Sequence, residues 1–315
     1  MKIIGLGETV YDIIFKDNQP LRAVPGGSTF NAIISLGRTR HLLPQKPDIY
    51  FISETGDDHV GQMIIDFLHD SGVSSEFVTI NKGTKSHLSL AFLDENSDAH
   101  YTFYKDHENA DIPDNCPAIT ASDILLFGSF FAINPVLRTR TRHILQQAHT
   151  AGAMLYYDIN FRRPHLAQLD AVMPNITENY SLATIVRGSL DDFDILYDTR
   201  DKERIYREYV SPYCPYLIIT DGGNAITIFT PHTRYDYPVT ALSQVVSTIG
   251  AGDNFNAGFL FAIANAKVSM KPEIWSSPEQ SRRNFAPLVA TAQHFSQAVC
   301  QSVFNYVEKD FRVSL

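Results

Sequence analysis

The run Ser247-Thr248-Ile249-Gly250-Ala251-Gly252-Asp253-Asn254-Phe255-Asn256-Ala257-Gly258-Phe259 places three small residues directly before an acid, and the acid at the head of an apolar helix. Such a turn exposes backbone N–H groups at the positive end of a helix, which favours an anion. Glycine on either side of Ala251 lets a phosphate approach the main chain without obstruction. Asp253 then stands where it can take the proton of whatever attacks that phosphate, so the pattern points to phosphoryl transfer and not to phosphate binding alone. Taken alone, the run is also read as an ordinary loop closed by an Asp N-cap. The rest of the chain decides between the two.

Outward from this run, short β-rich stretches alternate with helical ones. Strands are expected at Lys2–Gly7, Ile49–Ser53, Ile124–Phe127, Met154–Tyr157, Leu182–Val186, Leu217–Thr220 and Ala225–Phe229. Helices are expected at Thr29–Leu36, Val60–Ser71, Asn134–Thr150, Asp201–Tyr209, Asn254–Ala264 and Arg283–Tyr306. The alternation predicts an α/β fold with a mainly parallel sheet covered on both faces. Two segments break it. Val10–Val24 is strand-like and runs into Pro25-Gly26-Gly27 with no helix between. His87–Tyr104 reads as a hairpin, with Leu88–Leu93 and His100–Tyr104 on either side of a turn at Asp94–Asp98. Its alternating apolar residues predict a sheet with one dry face. Residues 10–24 and 86–108 are therefore assigned to a small β-subdomain, and 1–9, 25–85 and 109–315 to a discontinuous main domain. The small sheet could cover a site as a lid, form a dimer interface, or do both.

The chain has 315 residues, 44% of them apolar and 19% charged, with a net charge of −9 and no basic run. These values suit a globular protein and argue against nucleic acid as the main partner. Cys116, Cys214 and Cys300 are odd in number and far apart, with no zinc spacing or disulfide framework. Reduced thiols in a cytoplasmic protein are the expectation. The opening Met1–Glu8 reads as a buried strand too short for a signal peptide, and no apolar stretch is long enough to span a membrane.

Candidate binding residues cluster after strands, where ligands bind in parallel sheets. Gly26-Gly27 permits a sharp turn and close approach of a ligand, and Asn31 offers an amide that both donates to and accepts from hydroxyls. A structural turn with Asn31 at a helix start remains the alternative. Glu8 and Asp12 follow the first strand, Glu8 being equally read as solvent-exposed. Gly222-Gly223 after Thr220 reads as a hairpin turn. A dinucleotide-binding reading of the opening fails, because Val10 stands where the third glycine should be and Glu8 would repel a pyrophosphate.

Gly26-Gly27-Ser28-Thr29-Phe30-Asn31-Ala32 near the start and Thr248-Ile249-Gly250-Ala251-Gly252-Asp253 near the end occur in an order and at a separation that carry a resemblance. The chain resembles the ribokinase-like (PfkB-type) carbohydrate and nucleoside kinases over nearly its whole length. The resemblance implies a three-layer αβα sandwich with a small β-sheet lid, and ATP as the phosphate donor. It implies Asp253 as general base beside an anion hole of Gly250, Ala251 and Gly252. It places Gly26, Gly27 and Asn31 at the sugar, with Asp12 gripping sugar hydroxyls. Thr220, Gly222 and Gly223 would carry the ATP phosphates. Asp158-Ile159-Asn160-Phe161-Arg162-Arg163 looks like the Asp-x-Asn-x-Arg stretch of fructokinase-like and ketodeoxygluconate kinase-like members. That match puts Asn160 at the substrate and Arg162 on a substrate anion or the transferring phosphoryl group. The alternative for Arg162 is a surface arginine paired with Asp158. Leu93-Asp94, His100–Lys105 and Ala110-Asp111 also look fructokinase-like, although Lys105 is more often simply solvated.

Two departures qualify the carry-over. In Val186-Arg187-Gly188-Ser189-Leu190-Asp191-Asp192, Ser189 and Asp192 stand where the family usually has the Asn and Glu that organise Mg²⁺ and its waters. Asp192 keeps an oxygen ligand one methylene shorter. Ser247 stands where many relatives have an acid that helps bind a monovalent cation.

The expectation is thus an ATP- and Mg²⁺-dependent sugar kinase acting on a fructose-like ketose. Ketodeoxygluconate, ribose and nucleosides remain open as acceptors, and a catalytically weak sugar- or nucleotide-sensing module is the other class. The oligomeric state is left open by the sequence, although a homodimer through the lid would bury its apolar face. Serine lacks the charge of the usual acid, so purified protein should show little or no potassium activation. A strong K⁺ requirement in a kinase assay would contradict this.

Overall fold

The computed structural model describes residues 1–93, 99–106, 115–266 and 278–313. The expected turn at Asp94–Asp98 and the Ala110-Asp111 stretch lie outside the described residues. In chain order the strands are β1 (Lys2–Leu6), β2 (Val10–Lys16), β3 (Gln19–Gly26), β4 (Asp48–Gly56), β5 (Val78–Asn81), β6 (Leu88–Leu93), β7 (Ala99–Tyr104), β8 (Ile124–Gly128), β9 (Met154–Asp158), β10 (Ile185–Ser189), β11 (Leu217–Asp221), β12 (Ala225–Phe229) and β13 (Arg234–Pro238). The helices are α1 (Ser28–Thr39), α2 (His59–Asp70), α3 (Arg138–Thr150), α4 (Leu169–Leu182), α5 (Leu190–Tyr197), the short α6 (Lys202–Arg204), α7 (Ala251–Ala266) and α8 (Pro278–Cys300).

The large sheet runs β13-β12-β11-β10-β9-β8-β1-β4-β5. It is parallel from β5 to β11, with β12 and β13 antiparallel at one edge. Strand β1 explains the layering. Its run Ile3-Ile4-Gly5-Leu6 is apolar on both faces, as a central parallel strand must be. Ile3 packs with Phe30, Phe51, Phe259 and Phe295, from α1, β4, α7 and α8. Ile4 packs on the other side with Phe127, Tyr157, Ile176 and Phe193, from β8, β9, α4 and α5. Two cores on one sheet make the three-layer αβα sandwich.

The small sheet runs β3-β2-β6-β7. The single strand-like run Val10–Val24 is in fact two antiparallel strands, turned at Asp17 and Asn18, both with positive φ (51° and 58°). Asn and Asp tolerate that conformation better than other side-chain-bearing residues. Strand β2 pairs in parallel with β6, in the register Tyr11–Leu88, Ile13–Leu90 and Phe15–Phe92. Val10, Asp12 and Ile14 therefore share the opposite, buried face with Ser89 and Ala91.

Several expected boundaries are corrected. Leu182 closes helix α4, and the strand expected from it starts at Ile185. Pro174 inside α4 interrupts the helical pattern and hid this element from the sequence reading. Strands β5 and β13 and helix α5 were also not expected, being four, five and eight residues long. The helix expected from Asn134 starts at Arg138, because the Asn134 side chain accepts the Val136 N–H and forms a turn instead. Helix α6 passes into a π-helical turn at Ile205–Val210. Helix α8 ends at Cys300, and the segment after it turns back towards α1, where the Val307 N–H donates to Ser35 Oγ.

Phe259 on α7 is fully buried in the first core. Phe259→Ala should cost about 3–5 kcal/mol of stability, read by urea unfolding; a loss under about 1 kcal/mol would contradict the assigned packing.

Candidate active site

A cleft of about 380 Å³ lies between the small sheet and the C-terminal ends of the large sheet's strands. Two helix starts point into it. Helix α1 begins after Gly27, whose φ of 121° and whose approach to the Glu8 carbonyl leave no room for a side chain. Helix α7 begins after Gly250, with φ of 79° and its Cα pressed against the Asn305 backbone. The N–H groups of a helix's first turn have no carbonyl of their own helix to meet; Gly27, Ser28, Gly250, Gly252 and Asp253 of these starts line the cleft, while the Ala251 N–H donates to the Thr248 carbonyl at 3.2 Å.

Asp253, in the first turn of α7, is 8% exposed. Its Oδ1 accepts from Ser28 Oγ at 2.7 Å and its Oδ2 from Asn31 Nδ2 at 2.8 Å, both donors being on α1. Burial, reinforced by the charge of Asp158, pushes its carboxyl up to about 6 against the pull of those donors and of Arg162. It remains mostly ionised at neutral pH, yet is a far stronger base than an exposed aspartate.

Asp12 on β2 also lines the cleft and is buried. Asn305 Nδ2 donates to its Oδ2 at 3.2 Å. Gly26 lies behind it, where any Cβ would collide with the carboxylate. Burial chiefly, with the nearby charges of Asp253 and Glu8, pushes Asp12 up to about 7. Glu8 at the same end is neither free nor solvated: Lys105 Nζ sits 3.1 Å from its carboxylate. Burial works against the charge of Glu8, but Lys105 outweighs it and holds the carboxyl below its ordinary value. Lys105 is thereby corrected from a solvated lysine to an ion-pair partner.

The Asp158–Arg162 pairing weighed from the sequence does not form. Asp158 Oδ1 pairs with Arg187 at 2.8 Å, and its Oδ2 accepts from Asn256 Nδ2 at 2.8 Å and Ser28 Oγ at 3.3 Å. Arg187 also donates to Thr220 Oγ1 at 2.7 Å, and its guanidinium lies against the Cα of Gly252. Burial opposes the charge of Arg187, but Asp158 raises its pKa further still. Arg162 stands at the cleft mouth and makes no hydrogen bond or ion pair with any described residue. Partial desolvation at the mouth works against its charge, and Asp192, Tyr101 and Asp253 outweigh this and raise its pKa. Asn160, with φ of 40°, lines the cleft and donates to Ser129 Oγ at 2.9 Å.

Ser189 and Asp192 form a capping box at the start of α5. Ser189 Oγ accepts the Asp192 N–H at 3.1 Å, while Asp192 Oδ2 accepts from Ser189 N and Oγ, both at 2.7 Å. Both line the cleft, as do Thr220 and Gly222. Gly26, Ala251 and Gly223 do not, although each adjoins a residue that does. Ser247 Oγ accepts the Ile249 N–H at 3.1 Å.

Sequence reasoning missed Arg187, Ser28, Tyr101 and Asn305. Arg187 carried a usable signal: a cation at the end of an apolar parallel strand points at a ligand or a buried acid. Ser28 adjoins the paired glycines, and Tyr101 lies in the alternating stretch of the small sheet. Asn305 gave no signal, since its contact with Asp12 spans 293 positions.

The profile of the pfkB family carbohydrate kinase matches residues 2–303. The protein named "Probable fructokinase-5" of Arabidopsis thaliana is 27% identical over 279 residues, which cover 83% of this chain and 82% of that protein. Two solved structures superpose with a TM-score of 0.80 at 20% identity, covering 96% of this chain and 94% of each. One is aminoimidazole riboside kinase from Salmonella enterica, complexed with aminoimidazole riboside and an ATP analog. The other is fructokinase from Vibrio cholerae O395, bound to fructose, ADP and calcium.

The raised Asp12 pKa carries a stability consequence of definite sign. The folded state holds this proton more tightly than the unfolded chain, whose value is the ordinary 3.8. Stability is therefore complete below that value and is lost as pH rises through about 7. Asp12→Asn removes the buried charge, so the variant should be more stable than the parent at pH ~8 by on the order of 2 kcal/mol, and not at pH ~4. Urea unfolding at both pH values measures this; a difference that does not grow with pH would refute the origin given for the shift.

Proposed function

The chain belongs to the pfkB family of carbohydrate kinases, phosphotransferases that act on a hydroxyl acceptor, and on that premise we propose an ATP-dependent sugar kinase with Asp253 as its general base. The observation that carries this reading is the position of Asp253. It sits at the start of α7, with Asn31 and Ser28 on its carboxylate and with Gly250 and Gly252 lining the same cleft.

A substrate hydroxyl attacks the γ-phosphorus; the new P–O bond forms as the bond to the departing ADP oxygen breaks. The alcohol is a much weaker acid than the carboxyl, so its proton reaches Asp253 late, when bonding to phosphorus has made it acidic. Main-chain N–H groups at Gly250–Asp253 stabilise charge on the equatorial oxygens, with Arg187 lying behind Gly252. Asp12, Gly27, Asn31 and Asn160 orient the sugar, and Arg162 bridges it to the phosphoryl group. Thr220, Gly222 and Ser189 face the nucleotide phosphates. Among the described residues no group of three His, Cys, Asp or Glu could hold a metal ion. Mg²⁺ would therefore be held mainly by nucleotide oxygens, with Asp192 an indirect partner, and would neutralise phosphate charge. The neutral, already bonded Ser247 hydroxyl supports independence from a monovalent cation.

Asp12 and Glu8 stand at the sugar end, and the Lys105 ammonium there is already paired with Glu8. Such a lining accepts hydroxyls and offers no free cation to an acid group, which favours a neutral, fructose-like ketose. Arg162, with no bonded partner among the described residues, supports a sugar acid such as ketodeoxygluconate as the second reading. The small sheet serves as a lid over the cleft. Its outer face (Ile13, Phe15, Leu88, Leu90 and Phe92) supports a homodimer with a second copy. Three free cysteines support a cytoplasmic setting.

ADP production measured over ketoses, aldoses, sugar acids and nucleosides tests the acceptor; absence of turnover on all of them would leave the sensing module. Asp253→Asn should lower turnover about 10²–10⁴-fold with little change in sugar KM. Near-normal turnover would remove Asp253 as the base.

A further inference from the structure

Among the described residues, Ser28 is the one hydroxyl that touches both Asp253 and Asp158. Its Oγ lies 2.7 Å from Asp253 Oδ1 and 3.3 Å from Asp158 Oδ2. A serine has one hydrogen to donate and lone pairs to accept with, so it cannot donate fully to both acids at once. The two acids differ in what else holds them. Asp158 is tied to the Arg187 guanidinium through Oδ1 and to Asn256 through Oδ2. Asp253 has only neutral donors, Ser28 and Asn31, and is the one whose protonation state must change in turnover.

We propose that Ser28 is a positioning residue that acts as a hydrogen-bond switch, serving Asp253 in both of its protonation states. This rests on Asp253 being the general base. Before transfer the serine hydrogen points at the ionised Asp253, matching the shorter distance. As the acceptor alcohol gives its proton to Asp253, that carboxyl gains an O–H that needs an acceptor in a buried site. The serine hydroxyl rotates to donate to Asp158, and its freed lone pair accepts from Asp253. The hydrogens balance: one proton passes from alcohol to Asp253, Ser28 keeps its own hydrogen, and Asp158 gains a hydrogen bond but no proton. Asn31 cannot do this with its amide nitrogen, which only donates. The other charged or titratable groups facing Asp253 are Arg162 beyond β9, Asp12 on β2 and Tyr101 on β7. None of them has a hydrogen bond to it among the described contacts.

The test is the pH dependence of single-turnover phosphorylation, with a sugar that the panel above identifies and saturating ATP, for the parent, Ser28→Ala and Ser28→Thr. Removing the donor raises the Asp253 pKa, so the acid limb for Ser28→Ala should move up by about one pH unit. The alkaline plateau should also fall about tenfold, because the protonated base has lost its acceptor, while sugar KM stays within about twofold. Ser28→Thr should restore both limb and plateau. A serine serving only the ionised base would shift the limb yet leave the plateau unchanged or higher, since a stronger base accepts the proton more readily; that outcome overturns the switch. An unchanged profile in Ser28→Ala overturns it too. Asp253→Asn, run alongside, separates the two ideas. Lost turnover there with an unaffected Ser28→Ala sinks only the switch, whereas retained turnover there sinks the base and the switch together.

Discussion

Helix α1 starts after Gly27 and helix α7 after Gly250, and both direct their first turns at one carboxylate. Asp253 is supplied by α7 itself, and α1 reaches it through Ser28 and Asn31. A buried carboxylate away from water is expensive unless donors surround it. Here the side-chain donors come from a helix more than two hundred positions earlier. The two glycine turns are the steric condition for this meeting. A side chain at Gly27 would strike Glu8, and one at Gly250 would strike Asn305.

Behind this carboxylate sits a second constraint, the buried pair of Arg187 and Asp158. Burying both charges costs several kcal/mol, which geometry must offset. Arg187 bonds Asp158 and Thr220, while Asp158 also takes Asn256 and Ser28. The pair joins the ends of β9, β10 and β11 to the first turn of α7. Its positive member lies under Gly252, where negative charge would gather during phosphoryl transfer. The charge of Asp158 also adds to the burial that raises the Asp253 pKa. One arrangement thus ties strand ends together and sets the electrostatics of the cleft.

Much of this was legible in the linear chain. Gly26-Gly27 with Asn31 and Gly250-Ala251-Gly252-Asp253 each declared a turn, a helix start and a polar group at a defined offset, and the cleft contains both. The apolar runs in β1, β8, β9 and β11 marked parallel strands, and alternation in β6 and β7 marked a half-dry sheet. Failures had local causes. Pro174 disguised α4, short elements such as β5 and α5 offered too few residues for a period, and Asn134 spent its side chain on a turn. Arg162 is close to Asp158 in sequence but does not pair with it. Arg187, on the neighbouring strand, is nearer in space.

By itself the sequence determined the class of fold and the chemistry at the two helix starts, because these depend on local periods, on glycine's missing Cβ and on residue types at short spacing. Only the tertiary structure decided which acid meets a cation and which meets neutral donors alone. It sets Arg187 on Asp158 and Lys105 on Glu8, and leaves Asp12 with Asn305 and Asp253 with Ser28 and Asn31. Pairing of this kind follows from the packing of strands and helices far apart in the chain, and no short-range pattern encodes it.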